Sequence, residues 1–458
     1  MTATPPSARD LAVRALRDRG GNVSAHLDRL LAGGGVSAAE SALARELALG
    51  ALRRRGTLHA VLRAFLKEPD TRLASPLSEI LHVALYQLLF LHRVPAFAAV
   101  NEAVSQAARF RHKRQSGFVN ALLRSVAREL SDSLDGAPPR AANVVPIGPR
   151  AFRKFDRAVF PDPSADPAGY LAGAFSLPAA LARRWCDRFG LDGAAELAMH
   201  ADVRAPLIVR VNALKASVEQ AAAALAAEGI AARPHANGCS LVLVERGNVT
   251  ELAAFREGLV QPQDASATAV VLAADPKPGM RVLDFCAAPG TKTTHLAERM
   301  DNRGSIVAVD ISAEKLQRVE SNCRRMGVGI VETRPADQVG SLEPRSFDLV
   351  LVDSPCSNTG VLARRPEARW RFDEDALARL AKDQQFLAAA GAQFVAPGGR
   401  LVYATCSIEP EECSDVASRL ARRCKALRLV AEQLTLGGGA EDPAQWHDGG
   451  YVAIFQGD

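Results

Sequence analysis

The chain has 458 residues, enough for two or three domains. Apolar residues make up 48% and charged residues 23%, the range of soluble globular proteins, and an aromatic share of 5% calls for a core of mainly Ala, Leu and Val. The net charge of +5 hides an asymmetry: residues 1–130 carry 19 Lys and Arg against 10 Asp and Glu, a net of +9, and the remainder nets −4.

The basic first third reads as helical over 7–130. Leu27, Leu30 and Leu31 recur at helical spacing, and Gly33–Gly35 break the run. Ser37 followed by Glu40 fits a capping box that opens the next helix. The segment 40–66 is rich in Ala, Leu and Arg. The longest apolar stretch, Ile80 to Leu91, is interrupted by His82, Tyr86 and Gln87, is too short to span a bilayer, and reads as a buried helix. Further helices start near Ala99 and run from Val119 to Leu130. The charge of this region points to a polyanionic partner such as RNA, with a solvated helical surface as the plain alternative. The N-terminus has no signal-peptide pattern, so the chain is expected in the cytoplasm, without a membrane partner.

Residues 131–175 are rich in Pro, Gly and Ser and read as a linker. Residues 176–262 read as a small α+β module: a helix at 177–188, a strand at 206–212, an Ala-rich helix at 216–228 and a strand at 240–244. Arg210, Asn212 and Lys215 are candidates for RNA contact there, or for a solvated strand end.

From 263 to 458 short Val/Leu/Ile runs alternate with helical stretches. Strands are expected at 281–286, 305–311, 347–353 and 400–406, with weaker ones at 329–333 and 451–455. Continuous apolar runs suit strands buried on both faces, so this is an α/β, Rossmann-like domain with a parallel sheet. Ligands bind such sheets at the carboxyl ends of the strands. The turn after the first strand, Cys286-Ala287-Ala288-Pro289-Gly290-Thr291-Lys292, matches neither the dinucleotide fingerprint nor a Walker loop. Asp310 closes the next strand twenty positions after Gly290, where an acid accepts hydrogen bonds from a ribose. Asp337 lies beyond the third strand, at reach of an adenine amino group. The set suits an adenosine without phosphates, as in S-adenosylmethionine; either acid alone could equally be a helix cap, but the ordered set speaks against that.

Eight cysteines are present, with no metal-ligand spacing, so no metal is expected. Two stand apart. Cys356 follows the strand ending in Asp353, and Cys406 closes the strand expected at 400–406. Both fall on the cofactor edge. Carbon 5 of cytosine is a poor nucleophile. A thiolate adding at carbon 6 makes carbon 5 an enamine carbon able to take a methyl group, and the thiolate then leaves. Asp353 suits the N3–N4 edge of the base, and Lys292 is placed to reach the same rim.

The strings DFCAAPGTKT, VDSPCSNTGVLARRPEARWR and LVYATCSIEPEE resemble the motifs of RNA cytosine-C5 methyltransferases. The resemblance implies that Cys406, in T-C-S, is the nucleophile. It implies that Cys356, in P-C, assists proton removal and release, and that Cys286–Lys292 with Asp310, Asp337 and Asp353 hold S-adenosylmethionine. DNA cytosine methyltransferases lack T-C-S and attack with the P-C cysteine. YQLLFLHRVPAFAAVNEAVSQAARF and GFVNALLRSVARE resemble the all-helical, RNA-binding NusB fold. A NusB-like domain joined to this catalytic domain is the layout of the RsmB (Sun/Fmu) family, which implies small-subunit (16S) rRNA as substrate and a monomer. Its closing strand resembles HDGGYVAIF. Cys413 stands where the family often has Asn, and Ser354 and Thr291 where it more often has Ala and Gly. A tRNA substrate is the second reading. An RNA-binding ribosome assembly factor without activity ranks below both, because both cysteines and all three acids are present.

Overall fold

The computed structural model describes residues 6–18, 22–33, 35–109, 115–244 and 248–458. Gly34 of the expected helix break, Phe110 at the end of the first NusB-like string and residues 111–114 after it lie outside them. The chain divides into two compact units: residues 1–203 with 362–372, and residues 204–361 with 373–458.

The first unit opens with seven helices: α1 (Ala8–Leu16), α2 (Val23–Ala32), α3 (Ala38–Arg53), α4 (Arg55–Phe65), α5 (Leu77–Phe90), α6 (Ala96–Arg109) and α7 (Ser116–Glu129). The apolar stretch expected to be buried is α5, with Ile80, Leu81, Val83, Leu85 and Leu89 all in the core. Ser37 caps α3 by accepting from the Glu40 N–H at 3.2 Å, but the reciprocal half of the expected capping box is absent. Instead the Glu40 carboxylate accepts the Ala8 N–H at 2.6 Å, satisfying a donor that α1 leaves unpaired.

Residues 131–175 are not a bare linker. They form a three-stranded antiparallel sheet of β1 (Leu134–Asp135), β2 (Val144–Gly148) and β3 (Ala151–Lys154), then helix α8 (Pro167–Ala174). The strands are short and β2 contains both Pro and Gly, which hid them from any period-2 pattern. The long helix α9 (Ala179–Asp202), broken at Gly190 with φ 67°, closes this stretch.

The second unit begins with a four-stranded antiparallel sheet. Its elements are β4 (Leu207–Val211), α10 (Val218–Ala227), β5 (Ala232–Pro234), β6 (Ser240–Leu243), α11 (Ala253–Arg256) and β7 (Val260–Pro262). This is the expected α+β module. Helix α12 (Ala265–Ala274) leads into the main sheet: β8 (Arg281–Phe285), α13 (Thr291–Arg299), β9 (Ser305–Asp310), α14 (Ala313–Met326), β10 (Val331–Pro335) and β11 (Phe347–Asp353). The excursion 362–372 into the first unit carries α15 (Pro366–Arg369); then follow α16 (Glu374–Ala392), β12 (Val395–Thr405), α17 (Ser414–Arg423), β13 (Leu427–Thr435) and β14 (Gly450–Gly457).

The sheet order is β10-β9-β8-β11-β12-β14-β13, parallel through β12 and antiparallel over the last two strands. Alternate residues feed opposite cores. Leu283, Val350 and Val352 pack on one face, and Val282, Leu349 and Leu351 on the other. That two-sided burial is why these strands read as unbroken apolar runs. Strand order reverses between β8 and β11, and this switch point opens a crevice at their carboxyl ends.

Within the first unit, the excursion is held by charge. Asp202 accepts from Arg54 at 2.8 Å and from Arg369 at 2.7 Å, with all three side chains buried. Arg369 also donates to the Ala201 carbonyl at 2.7 Å, and the Trp370 indole donates to the Leu52 carbonyl at 2.9 Å. Among the described residues no helix is long and apolar enough to cross a membrane.

Candidate active site

Five parallel strands end on one edge. The pairings Pro335 with Asp310, Phe285 with Val309, Val352 with Phe285, and Asp353 with Ala404 keep those ends level. Every candidate residue chosen from the sequence at the ends of β8 to β12 therefore lies on the same rim.

After β8 the chain turns at Cys286, whose φ is 81°. The N–H groups of Cys286 and Ala287 both donate to the Val309 carbonyl, at 3.0 and 2.8 Å. Asp310 then accepts the Ala288 N–H and the Ser312 N–H, each at 3.2 Å, which ties the loop to the end of β9. Gly290 starts α13 at φ 94°, and a Cβ there would meet the Val319 backbone at 3.0 Å. Only glycine meets both demands. Asp337 follows β10 in a short 3-10 turn and is exposed.

Behind this loop lies a brace that the sequence did not reveal. Arg210, 0% exposed, pairs with Glu298 at 2.5 Å and donates to the Thr291 carbonyl at 2.9 Å, to Thr294 Oγ1 at 3.2 Å, and to Gln263. Asn212 is also buried and donates to the Gly258 and Met326 carbonyls, each at 2.9 Å. Lys215 donates to the Glu257 and Arg325 carbonyls at 2.7 and 2.9 Å. For Arg210 and Asn212 the expectation of RNA contact or a solvated face is thus corrected: both are buried, because the carboxyl end of β4 packs against α13 and the end of α14 instead of solvent; Lys215 stays exposed.

Lys292, in the first turn of α13, donates to Asp353 at 2.5 Å. Burial alone would lower its ammonium, but the Asp353 carboxylate beside it outweighs that and raises it, so Lys292 stays charged. Beneath them Asp284 is buried, accepts only from Thr293 Oγ1 at 2.6 Å, and is pushed up to about 7 by burial. Burial pushes the Cys286 thiol up to about 12, which removes it as a nucleophile.

A cavity of about 430 Å³ opens here, lined by Lys292, Asp353 and Cys406 on one side and by His235, Asn237 and His447 on another. Cys406 lines it; Cys356 is not among the lining residues, is partly exposed like Cys406, and its Sγ lies 3.1 Å from that of Cys406. The two turns are pressed together. The Gly360 N–H donates to the Cys406 carbonyl at 3.0 Å, and a Cβ on Gly360 would meet Gly449 O at 2.5 Å. Cys406 Sγ also lies 3.4 Å from Asn358 Oδ1. The Cys356 thiol is raised well above its ordinary value, first by its hydrogen bond to Cys406, then by burial and the charges of Cys406 and Glu412.

Residues 270–447 match the family model of the 16S rRNA methyltransferase RsmB/F, residues 6–128 the NusB family, and residues 177–250 the ferredoxin-like domain of RsmF/B-like methyltransferases. The probable ribosomal RNA small subunit methyltransferase B of Bacillus subtilis is 32% identical over 90% of this chain and 87% of its own length. This chain belongs to the RsmB family. The Serratia proteamaculans enzyme of that name is 31% identical over 92% of this chain and 90% of its own. A solved methyltransferase homolog from Pyrococcus horikoshii matches 62% of this chain and 96% of its own, with a TM-score of 0.52 at 28% identity.

The RsmB-family cofactor is S-adenosylmethionine, and the rim suits it. Asp310 accepts one backbone N–H from the loop, that of Ala288, and one from Ser312 just beyond β9, and keeps acceptor capacity for a ribose. The residue after it, Ile311, is 87% exposed, an apolar surface fit to carry an adenine face. The sequence reading missed Ile311, and also His235, Asn237 and His447. Isolated polar or apolar residues in loops carry no periodic signal; only the fold gathers them.

Proposed function

We propose that this protein methylates carbon 5 of a cytosine in small-subunit rRNA through a covalent bond from Cys406 to carbon 6. The observation that carries the reading is the lining of the cavity. Of the two rim thiols, Cys406 is the one that lines it beside the Lys292–Asp353 pair, and Cys356 is not among the lining residues. The 16S rRNA assignment rests on the names of the relatives and on the NusB-like domain.

Bound S-adenosylmethionine supplies an electrophilic sulfonium methyl. Asp310, Asp337 and the Cys286–Lys292 loop would hold its adenosine and orient it toward the cavity. Asp353 accepts from the amino edge of the cytosine and fixes the base. Lys292 holds Asp353 in place by its hydrogen bond and offsets charge that develops on the ring. Cys406 adds to carbon 6, and carbon 5 gains the methyl group.

Cys356 then acts. Its proton is held first by the hydrogen bond to the Cys406 sulfur. Once that sulfur is part of a thioether, this restraint is gone. Cys356 can then give its proton to water and, as the thiolate, take the one on carbon 5; the electron pair of that C–H bond re-forms the C5–C6 double bond and expels Cys406 as a thiolate.

Bisulfite sequencing of rRNA and tRNA from cells with and without the gene tests the substrate. One 16S cytosine should lose its mark in the deletion. Unchanged rRNA with an altered tRNA would move the assignment to tRNA, and no change in either would refute the activity.

A further inference from the structure

The two rim thiols differ in what lies on their far sides. Behind Cys356 is Glu412, 0% exposed. Its carboxylate accepts the Ser357 N–H at 2.9 Å, the Ser357 hydroxyl at 2.5 Å, and the Gln384 amide at 2.9 Å. All three donors are neutral, so hydrogen bonds hold the charge while no cation cancels it. Gln384 also donates to the Pro355 carbonyl at 2.8 Å, and the Tyr403 hydroxyl to the Glu412 carbonyl at 2.6 Å. The turn 355–358 therefore hangs from a buried carboxylate, with Cys356 between two of its anchors.

On the other side, the Lys292 ammonium acts on Cys406 as well as on Asp353. The titratable and charged groups around the sulfur pair are thus Lys292 and Asp353 at the cavity, Glu412 behind, and Tyr403 in β12. Lys292, paired with Asp353, stands on the Cys406 side, and the Glu412 carboxylate, with no cation beside it among the described residues, stands on the Cys356 side. Two sulfurs 3.1 Å apart readily share one proton, and this field decides where it rests.

We propose that Glu412 is a positioning residue: its buried carboxylate anchors the turn bearing Cys356 and assigns the shared proton to Cys356, leaving Cys406 as the thiolate. The proposal deepens the reading above by explaining which thiol attacks. The Coulombic effect of Glu412 on the Cys356 thiol runs in the required direction.

The test uses the full chain and iodoacetamide, with initial alkylation rates at each cysteine read by mass spectrometry across pH. The parent protein should alkylate Cys406 at lower pH than Cys356. Glu412→Gln keeps size and an acceptor oxygen but removes the charge. It should cut the Cys406-to-Cys356 rate ratio at neutral pH at least tenfold. Glu412→Asp should restore most of the ratio. A folded Glu412→Gln protein with an unchanged ratio overturns the proposal. Should Glu412→Gln not fold, Ser357→Ala decides. It removes one neutral donor and keeps the charge, so the ratio should hold or rise; a fall would mean that turn geometry, not charge, sets the order, and the proposal fails. Methyl transfer plays no part in this readout, so it stands or falls separately from the rRNA assignment.

Discussion

Replacing Arg210 with Leu isolates the brace behind the cofactor loop. The guanidinium is fully buried, and Glu298, 2.5 Å away, is nearly so. Burial pushes the guanidinium down and the Glu298 carboxyl up, so each relies on the other to stay charged. Removing one partner of such a pair costs about 3–5 kcal/mol, because the other is left buried and uncompensated. In a unit of this size each kcal/mol moves Tm by roughly 2–4 °C, so the loss should be roughly 6–20 °C. The variant should also bind S-adenosylmethionine more weakly, since the Thr291 carbonyl loses its donor. Scanning calorimetry with and without cofactor measures both effects. The double variant Arg210→Leu/Glu298→Leu should recover most of the stability, because two apolar side chains leave no orphaned charge. A loss below about 1 kcal/mol, or a double variant no better than the single, would refute the reasoning.

Three further outcomes follow from the geometry. Burial holds the Asp284 carboxyl up to about 7 against 3.8 in the unfolded chain, so its contribution to stability is intact below pH 3.8 and is lost as pH rises toward 7. Asp284→Asn should therefore gain stability over the parent at pH 8 and little near pH 4.5, and parallel Tm-against-pH curves would contradict this. Gly290→Ala imposes strain at φ 94° of about 1–3 kcal/mol and should weaken cofactor binding about tenfold in titration calorimetry. Asp202→Ala strands the buried guanidiniums of Arg54 and Arg369, and should cost about 3–5 kcal/mol in urea denaturation.

Much of the second unit was legible because its physics is periodic. Apolar runs such as Phe347–Val352 announce two-sided burial, and acids or cysteines just past them fall on one edge by topology alone. Strand β13 was missed because its side chains are largely exposed at the sheet edge, which leaves no apolar run. The strands within 131–175 were missed because they are short and interrupted. Arg210 and Asn212 were misread for another reason. Both read as polar residues at a strand end, and sequence carries no sign that the strand end packs against α13 and α14. Glu412 sat inside a quoted string, but its donors, Ser357 and Gln384, are 55 and 28 residues away.

The central claim is that Cys406 attacks and Cys356 releases. Cys356→Ala protein, incubated with S-adenosylmethionine and small-subunit rRNA, should accumulate a protein–RNA adduct that survives a denaturing gel. The adduct should vanish when Cys406→Ala is added. An adduct that instead forms in the Cys406→Ala protein and not in Cys356→Ala would reverse the roles and contradict the account.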